Sequence, residues 1–442
     1  MALDLTKGRI GKRLLSLAVP VMLTSLVQMA YNLMDQAWLG HVGSSALVSA
    51  GAAGYFLWFG LTLVLVAKAG SEILVAQRIG EGRREEAYLF YRSGHCIAFV
   101  IGVLFSCLCW WKAEFLVSII HFETADDLAD AASYLRIVAS GFPAFFAVQV
   151  SVGMLTSLGK TKLPFVLSAC GLVVNMLLDP ILIYGYLGFD EMGALGAAWA
   201  TLLSQLFVAV LFAFCLKGRA HPFVGVEKLR LSFVALKKVF FLGFPVAMES
   251  GLFCLITVYI GRITSSYGSE ALAAQNVGAQ IESVSWMAMH GLAAALAAFV
   301  GQNYGAKQWG RIDKGFRLVL AYIVIQSLLV SALFVFLGEG IFALFSTEAD
   351  TVRLGGQYLF ILGLSQVFMG MEIISAGALK GVGRTTVCSV ISFTLSFARI
   401  PLAYYLVSYE SLGVSGVWWS MTVTSFFKGV LMFWVFKRNK LR

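Results

Sequence analysis

The chain has 442 residues, of which 59% are hydrophobic and 13% are charged, with a net charge of +9 and a mean hydropathy of +0.83. Soluble globular domains are about 45–50% apolar and about 25% charged, so this composition excludes an ordinary soluble protein. Apolar runs of about 20 residues recur, the length that crosses a hydrocarbon core about 30 Å thick. Their length and continuity also exclude a β-barrel, whose strands alternate apolar and polar residues.

Twelve membrane spans are predicted in chain order. They cover approximately residues 14–38, 48–76, 88–111, 134–157, 164–188, 194–216, 238–262, 272–300, 315–337, 356–379, 386–407 and 414–436. The first span carries Pro20, Asn32 and Asp35 and has no evident small-residue cleavage site. We therefore predict a retained helix at this position rather than a cleaved signal peptide.

Most Lys and Arg residues fall in loops on one side of the predicted spans. Four lie on the opposite side: Lys112, Arg136, Arg262 and Arg353. The positive-inside rule then predicts a multi-pass protein with both termini in the cytoplasm, which agrees with an even number of spans. Because most of the positive charge lies in short loops, we expect the lipid bilayer, and no nucleic acid, as a partner.

The two halves of the sequence repeat each other. Shifting the first half by 225 residues places Pro20 on Pro245 and the letters GSSAL on GSEAL. Farther along, with small gaps, Pro180 meets Pro401. Such repeats define architecture more firmly than a single motif does.

The repeat predicts an all-α polytopic membrane protein with two six-helix bundles. The predicted N-lobe is 1–216, the cytoplasmic linker is 217–237 and the C-lobe is 238–442. Because each half has six spans, both start on the same side, and the pseudo-two-fold axis runs along the membrane normal. Parallel repeats of this kind are typical of transporters that alternate access by rocking one bundle against the other.

Two of the predicted spans in the N-lobe carry polar residues at helical spacing. Asn175 and Asp179 are four residues apart and share a helix face, and Asn32 and Asp35 are three residues apart. An ionised side chain at the bilayer centre costs about 2.5–3.5 kcal/mol, so it faces a cavity or a partner. The pattern indicates either a cation site or a structural hydrogen-bond network.

Three of the prolines inside predicted spans are candidate hinges. Pro180 removes the helical donor of the Met176 carbonyl, which could then bind a cation or water beside Asp179. Pro20 and Pro245 occupy equivalent early positions in the two halves. The alternative interpretation for all three is a kink that only shapes the helix.

The motifs PVMLTSLVQMAYNLMDQAWLG, NMLLDPILI, VGQNYGAK and GALKGVGRT together resemble the multidrug and toxic compound extrusion (MATE) family, from about residue 10 to 436. The resemblance implies an ion-coupled antiporter of the cytoplasmic (inner) membrane that confers drug resistance. Such a protein exports cationic amphipathic compounds in exchange for H⁺ or Na⁺. The family's cation-binding positions here are Asp35, Asn175, Asp179 and Thr201.

Further side chains are candidates for substrate or proton binding. They are Tyr31, Gln28, Asn32, Glu249, Glu282, Glu372, Met287 and Trp286. Some family members carry an Asp on the tenth helix, but that position is Met369 here and the nearest acid is Glu372. We therefore expect the cation site in the N-lobe.

The sequence carries no P-loop motif, so ATP is not the expected driver. We expect no cofactor besides H⁺ or Na⁺ as the coupling ion, small-molecule organic cations as substrates, and a monomer. The five histidines are scattered without catalytic spacing, which argues against an enzyme. The alternative function is flipping of lipid-linked precursors, as in the wider superfamily.

Overall fold

The computed structural model describes residues 4–119, 124–217, 221–226, 229–346, 348–409 and 411–438. Within these ranges the chain is built from α-helices and one short 3-10 helix, with no β-strand. The α-helices are α1 (Ile10–Val42), α2 (Ser44–Gly80), α3 (Arg84–Trp111), α4 (Ala113–Val117), α5 (Ala125–Ala139), α6 (Phe142–Ser157), α7 (Lys162–Ile183), α8 (Gly193–Cys215), α9 (Phe233–Ser265), α10 (Ser269–Gly305), α11 (Trp309–Phe342), α12 (Ala349–Gly363), α13 (Gln366–Gly381), α14 (Thr385–Val407) and α15 (Ser415–Arg438).

Ten of these helices are long and apolar enough to cross a membrane individually. Two further spans are bent helix pairs, α5 with α6 at 49° and α12 with α13 at 51°. With each pair counted as one span, the described part of the chain has the twelve predicted spans. The all-α polytopic fold class is confirmed.

The two bends differ from the straight spans that the sequence predicts at 134–157 and 356–379. The first follows Gly141, and Pro143 lies in the first turn of α6. Proline lacks a backbone N–H and fits the start of a helix rather than its interior. At the second bend the Ser365 hydroxyl donates to the Leu362 carbonyl at 2.9 Å, which satisfies an acceptor near the end of α12.

The helices pack into two compact units. Unit 1 includes Leu23–Ala247, and unit 2 is Leu5–Met22 with Met248–Arg442. The first part of α1 therefore packs in unit 2, and the first part of α9 packs in unit 1. The predicted lobes, which follow the sequence repeat, keep each of these helices whole; the packing instead divides α1 and α9 shortly after Pro20 and Pro245.

The segment before α1 is anchored in unit 2. Leu5 is fully buried, and its N–H donates to Gln302 Oε1 at 3.0 Å. Asn303 Nδ2 and Arg311 Nη2 both donate to the Leu5 carbonyl, at 3.3 and 3.1 Å, and Arg311 also donates to the Gly8 carbonyl. The polar residues of the VGQNYGAK motif thus bind the backbone of the N-terminal segment.

Within unit 1, α2 and the first part of α9 touch backbone to backbone. A Cβ added to Gly70 would lie 2.0 Å from the Val239 carbonyl oxygen, and one added to Gly243 would lie 2.0 Å from that of Val66. Small residues at such crossings let membrane helices approach closely. The resulting van der Waals contacts stabilise the helix pair in a bilayer, where the hydrophobic effect does not drive helices together.

Gly70→Ala is expected to lower the thermal stability of the purified protein, because the new methyl group collides with a backbone carbonyl that cannot rotate away. Overpacking of this kind typically costs about 1–3 kcal/mol. Gly51→Ala in the same helix is the control, since a Cβ there meets nothing within 4 Å. Melting curves in detergent compare the two, and equal melting temperatures would contradict the close contact.

Candidate cation site

Three helices of unit 1 carry the four predicted cation-binding residues. Asp35 lies on α1, Asn175 and Asp179 lie on α7, and Thr201 lies on α8. The helices α7 and α8 are in close contact, because a Cβ added to Gly196 would lie 2.3 Å from the Leu182 carbonyl oxygen. This contact holds the polar face of α7 beside that of α8.

The four side chains form one cluster. Thr201 Oγ1 donates to Asp35 Oδ2 at 3.3 Å, and Asn175 Nδ2 donates to Asp179 Oδ1 at 3.1 Å. The carboxyl groups of Asp35 and Asp179 lie close enough for the charge of each to act on the other. The structure therefore brings together all four residues that the sequence singles out.

Three oxygens of the cluster have no hydrogen-bond donor among the described residues. They are Asp35 Oδ1, Asn175 Oδ1 and Asp179 Oδ2. Asn175 and Asp179 are fully buried, and a buried acceptor without a partner costs about 1–3 kcal/mol. Two carboxylates in contact also repel each other. One bound cation, a proton or a sodium ion, would relieve both penalties.

The donor set fits a proton or a hard monovalent cation. It offers carboxylate oxygens from Asp35 and Asp179, the amide oxygen of Asn175 and the hydroxyl of Thr201, and hard cations take oxygen ligands. Within the described residues, no group of three or more His, Cys, Asp or Glu side chains could hold a metal ion. The cluster therefore differs from the usual transition-metal sites.

Three more polar side chains surround the cluster. Tyr31, a predicted candidate, hydrogen-bonds to Ser204 and lies near both aspartates. Tyr134 on α5 hydrogen-bonds to Thr201. Sequence reasoning missed Tyr134 and Ser204, although the recurrence of Tyr134 in the second half, as Tyr358, is a signal that could have found it.

Two other predicted candidates on α1 lie outside the hydrogen-bonded cluster. Gln28 and Asn32 are exposed on this helix, while Asp35 is only partly exposed. Their proposed contact with substrate stays a prediction.

A family model named MatE matches residues 20–181 and 242–405. The chain belongs to the MATE family. The match covers both halves of the sequence repeat, as the predicted two-lobe architecture requires. Since the described helices supply twelve spans, this MATE protein is a multi-pass membrane protein.

Relatives of known sequence and structure agree with this assignment. A probable multidrug resistance protein NorM of Thermotoga maritima is 28% identical over 98% of this chain and 93% of its own length. A probable multidrug resistance protein YoeA of Bacillus subtilis is 27% identical over 90% of this chain and 88% of its own length.

Two solved structures share the fold. A MATE protein in the bent conformation has a TM-score of 0.92 and 21% identity, and covers 99% of this chain and 96% of its own. A MOP superfamily transporter from Pyrococcus furiosus has a TM-score of 0.91 and 21% identity, with 99% and 97% covered.

The three candidate hinge prolines of this MATE protein lie inside continuous helices. Pro20 is within α1, Pro180 within α7 and Pro245 within α9. Pro180 follows Asp179 directly, so the carbonyl of Met176 lacks its regular helical donor one turn away. A hinge at any of the three stays a prediction.

Two predicted glutamates form ion pairs inside unit 2. Glu249 Oε2 lies 3.3 Å from Lys380 Nζ and accepts a hydrogen bond from Ser389 Oγ at 3.2 Å. Glu372 Oε1 lies 3.0 Å from Lys428 Nζ, and both side chains are largely buried. These acids are therefore neutralised by basic side chains of the same unit.

The remaining candidates lie on α10. Glu282 Oε1 accepts a hydrogen bond from Gln366 Nε2 at 3.0 Å. Trp286 is 40% exposed and its ring centroid lies 4.2 Å from that of His290, while Met287 is half-buried. A role for these residues in binding substrate stays a prediction.

Proposed function

We propose that this MATE protein is a secondary-active multidrug efflux antiporter that exports cationic amphipathic compounds in exchange for H⁺ or Na⁺. The observation that carries the proposal is the cluster of Asp35, Asn175 and Asp179, in which one oxygen of each side chain is buried and lacks a donor among the described residues. The names of its curated relatives, probable multidrug resistance proteins, support the efflux role.

In the proposed cycle, a cation binds the cluster and bridges Asp35 on α1 to Asp179 on α7. Thr201 on α8 stays bonded to Asp35, so one ion links three helices of unit 1. The first part of α1 packs in unit 2. A change in the bonding of Asp35 is thereby passed along one helix to residues of the other unit, where it can alter the affinity for substrate.

The driving force is the electrochemical gradient of the cation. One elementary charge crossing the membrane potential is worth about 2.3 kcal/mol per 100 mV. We place the protein in the cytoplasmic membrane as a monomer with both termini in the cytoplasm. The distribution of Lys and Arg residues over the loops supports this orientation of the termini.

Proteoliposomes test this function. The purified protein is reconstituted, a fluorescent organic cation is added, and a pH gradient and a sodium gradient are imposed separately. We expect one of the two gradients to drive movement of the fluorescent cation against its own gradient. If neither gradient drives it in vesicles that contain folded protein, ion-coupled efflux of organic cations is excluded as the function.

Thr201→Val is expected to weaken Na⁺ binding, because it removes the hydroxyl that orients the Asp35 carboxylate and keeps the side-chain volume. Groups that orient a metal-binding carboxylate typically contribute about 10- to 100-fold to affinity, so the half-saturating concentration of Na⁺ should rise by roughly tenfold or more. The measurement is the rate of efflux as a function of that concentration. Thr201→Ser keeps the hydroxyl and should behave like wild type; a Val variant that also does so would contradict the role of Thr201.

A further inference from the structure

Unit 2 contains a counterpart of the cation site, which helix packing locates. In unit 1 a Cβ added to Gly196 would meet the backbone of Leu182. In unit 2 a Cβ added to Gly416 would meet the backbone of Leu406, with 2.9 Å to its carbonyl carbon. The same contact between helices thus pairs α7 with α14 and α8 with α15, and it places Leu406 at the position of Leu182.

This pairing aligns α14 with α7 at a fixed residue offset. The motifs that precede these helices, GVGRTT and SLGKTK, align at the same offset. Arg399 then takes the position of Asn175. Alignment on Pro180 and Pro401 instead places Arg399 beside the position of Asp179. The packing corrects the alignment based on the two prolines. The loop between α14 and α15 is shorter than the loop between α7 and α8, and the difference in length between the two halves falls in this loop.

In this register unit 2 lacks both aspartates of the site. Ile260 stands at the position of Asp35, and Ala403 stands at that of Asp179. Both are fully buried in the apolar cluster of unit 2. The tyrosine counterpart is kept, as Tyr358. The two carboxylates of unit 1 are therefore replaced by apolar side chains, and a guanidinium replaces the amide.

The Arg399 side chain is 7% exposed. Its Nε donates to Thr424 Oγ1 at 3.2 Å, and Thr424 corresponds to Ser204 on the partner helix. The acids whose charges act on Arg399 are Glu372 and Glu282, which lie on α13 and α10. Tyr358 hydrogen-bonds to Glu282. A positive charge is therefore fixed among acceptors at the place that corresponds to the candidate cation site of unit 1.

We propose that Arg399 is a covalently attached substitute for the coupling cation, which keeps the counterpart site of unit 2 permanently loaded. Arginine stays charged throughout the physiological pH range and cannot leave. Only the site of unit 1 then loads and empties in each cycle. This inference rests on the proposed function, because it assigns one exchangeable cation to each protein molecule.

Cation binding to the purified full-length protein tests the inference. Bound ²²Na⁺ is counted at equilibrium, and bound protons are counted with a pH-indicator dye. Arg399→Gln should bind one more cation per molecule than its parent, because Glu282 loses its fixed counter-charge. Arg399→Lys keeps a tethered cation and should bind none in addition. Arg353→Gln, an exposed position of the same unit, should also bind none in addition.

The same increment is expected when Asp179→Asn is the parent, which separates this inference from the proposed function. If the Asp179→Asn protein binds as many cations as the wild type, the proposed cation site of unit 1 is wrong. A folded Arg399→Gln protein without an additional cation would overturn the inference about unit 2, whatever Asp179→Asn does.

A folding control keeps the test decisive if Arg399→Gln is unstable. Because Glu282 and Arg399 balance each other, the double variant Glu282→Gln with Arg399→Gln should regain melting temperature relative to Arg399→Gln alone. It should also bind no additional cation. A double variant that is no more stable than Arg399→Gln would show that Arg399 does not neutralise Glu282, and it would overturn the inference.

Discussion

Asp179→Asn is expected to abolish ion-driven efflux of a fluorescent organic cation while the protein still folds and inserts. The amide keeps the size of the side chain but cannot carry the charge that holds a cation, and it also removes the contact between two carboxyl groups. Without a cation at this site the gradient has no ion to drive through the protein, so efflux should fall to the level of protein-free vesicles. Asp35→Asn should have the same effect.

The measurement is efflux from proteoliposomes under the gradient that drives the wild type, with the amount of reconstituted protein matched by immunoblot. Asp190→Asn is the control, because this carboxylate is exposed in the loop that follows α7. It should transport like the wild type. Wild-type efflux by both Asp35→Asn and Asp179→Asn would show that the cluster is a structural hydrogen-bond network.

Lys428→Met is expected to destabilise unit 2 strongly. Lys428 is 5% exposed and pairs with Glu372 at 3.0 Å, so its removal leaves Glu372 in a buried site without its ion-pair partner. Removing one partner of a buried ion pair costs about 3–5 kcal/mol. The melting temperature of the purified protein in detergent should fall clearly below that of the wild type.

Lys437→Met on the same helix is the matched control. Lys437 lies 3.6 Å from Asp313, and both side chains are about 40% exposed, so its loss should cost less than about 1 kcal/mol. The double variant Lys428→Met with Glu372→Met removes both charges and should recover most of the lost stability. If Lys428→Met melts together with Lys437→Met, the buried pair contributes nothing to the fold.

The sequence predicts the spans and the four residues of the cation site because both depend on local spacing. The length of an apolar run can be compared with the thickness of the bilayer, and the spacing of four residues places Asn175 and Asp179 on one face of a helix. The bends before α6 and α13 are not visible in this way, since each depends on how a short loop satisfies its backbone. The division of α1 and α9 between the units also depends on long-range packing.

The partners of the site are the harder part to predict. Tyr134 recurs as Tyr358 and Ser204 lies three residues after Thr201, but neither pattern shows which helices meet, so the fold is needed to show that they reach the cluster. Arg399 illustrates a different difficulty. An alignment on matching prolines shifts its register, because the length of the loop that follows is not known until the helices are seen in contact.

The anchor of Leu5 sets an order of events during synthesis. The residues that bind its backbone begin 297 positions later in the chain. At about 5–20 residues per second, ribosomes need roughly 15 to 60 s to make that stretch, so the first helix enters the bilayer long before its anchor exists. Docking of Leu5 is therefore a late step of folding, and a chain that stops before α10 leaves the backbone groups of Leu5 without these contacts.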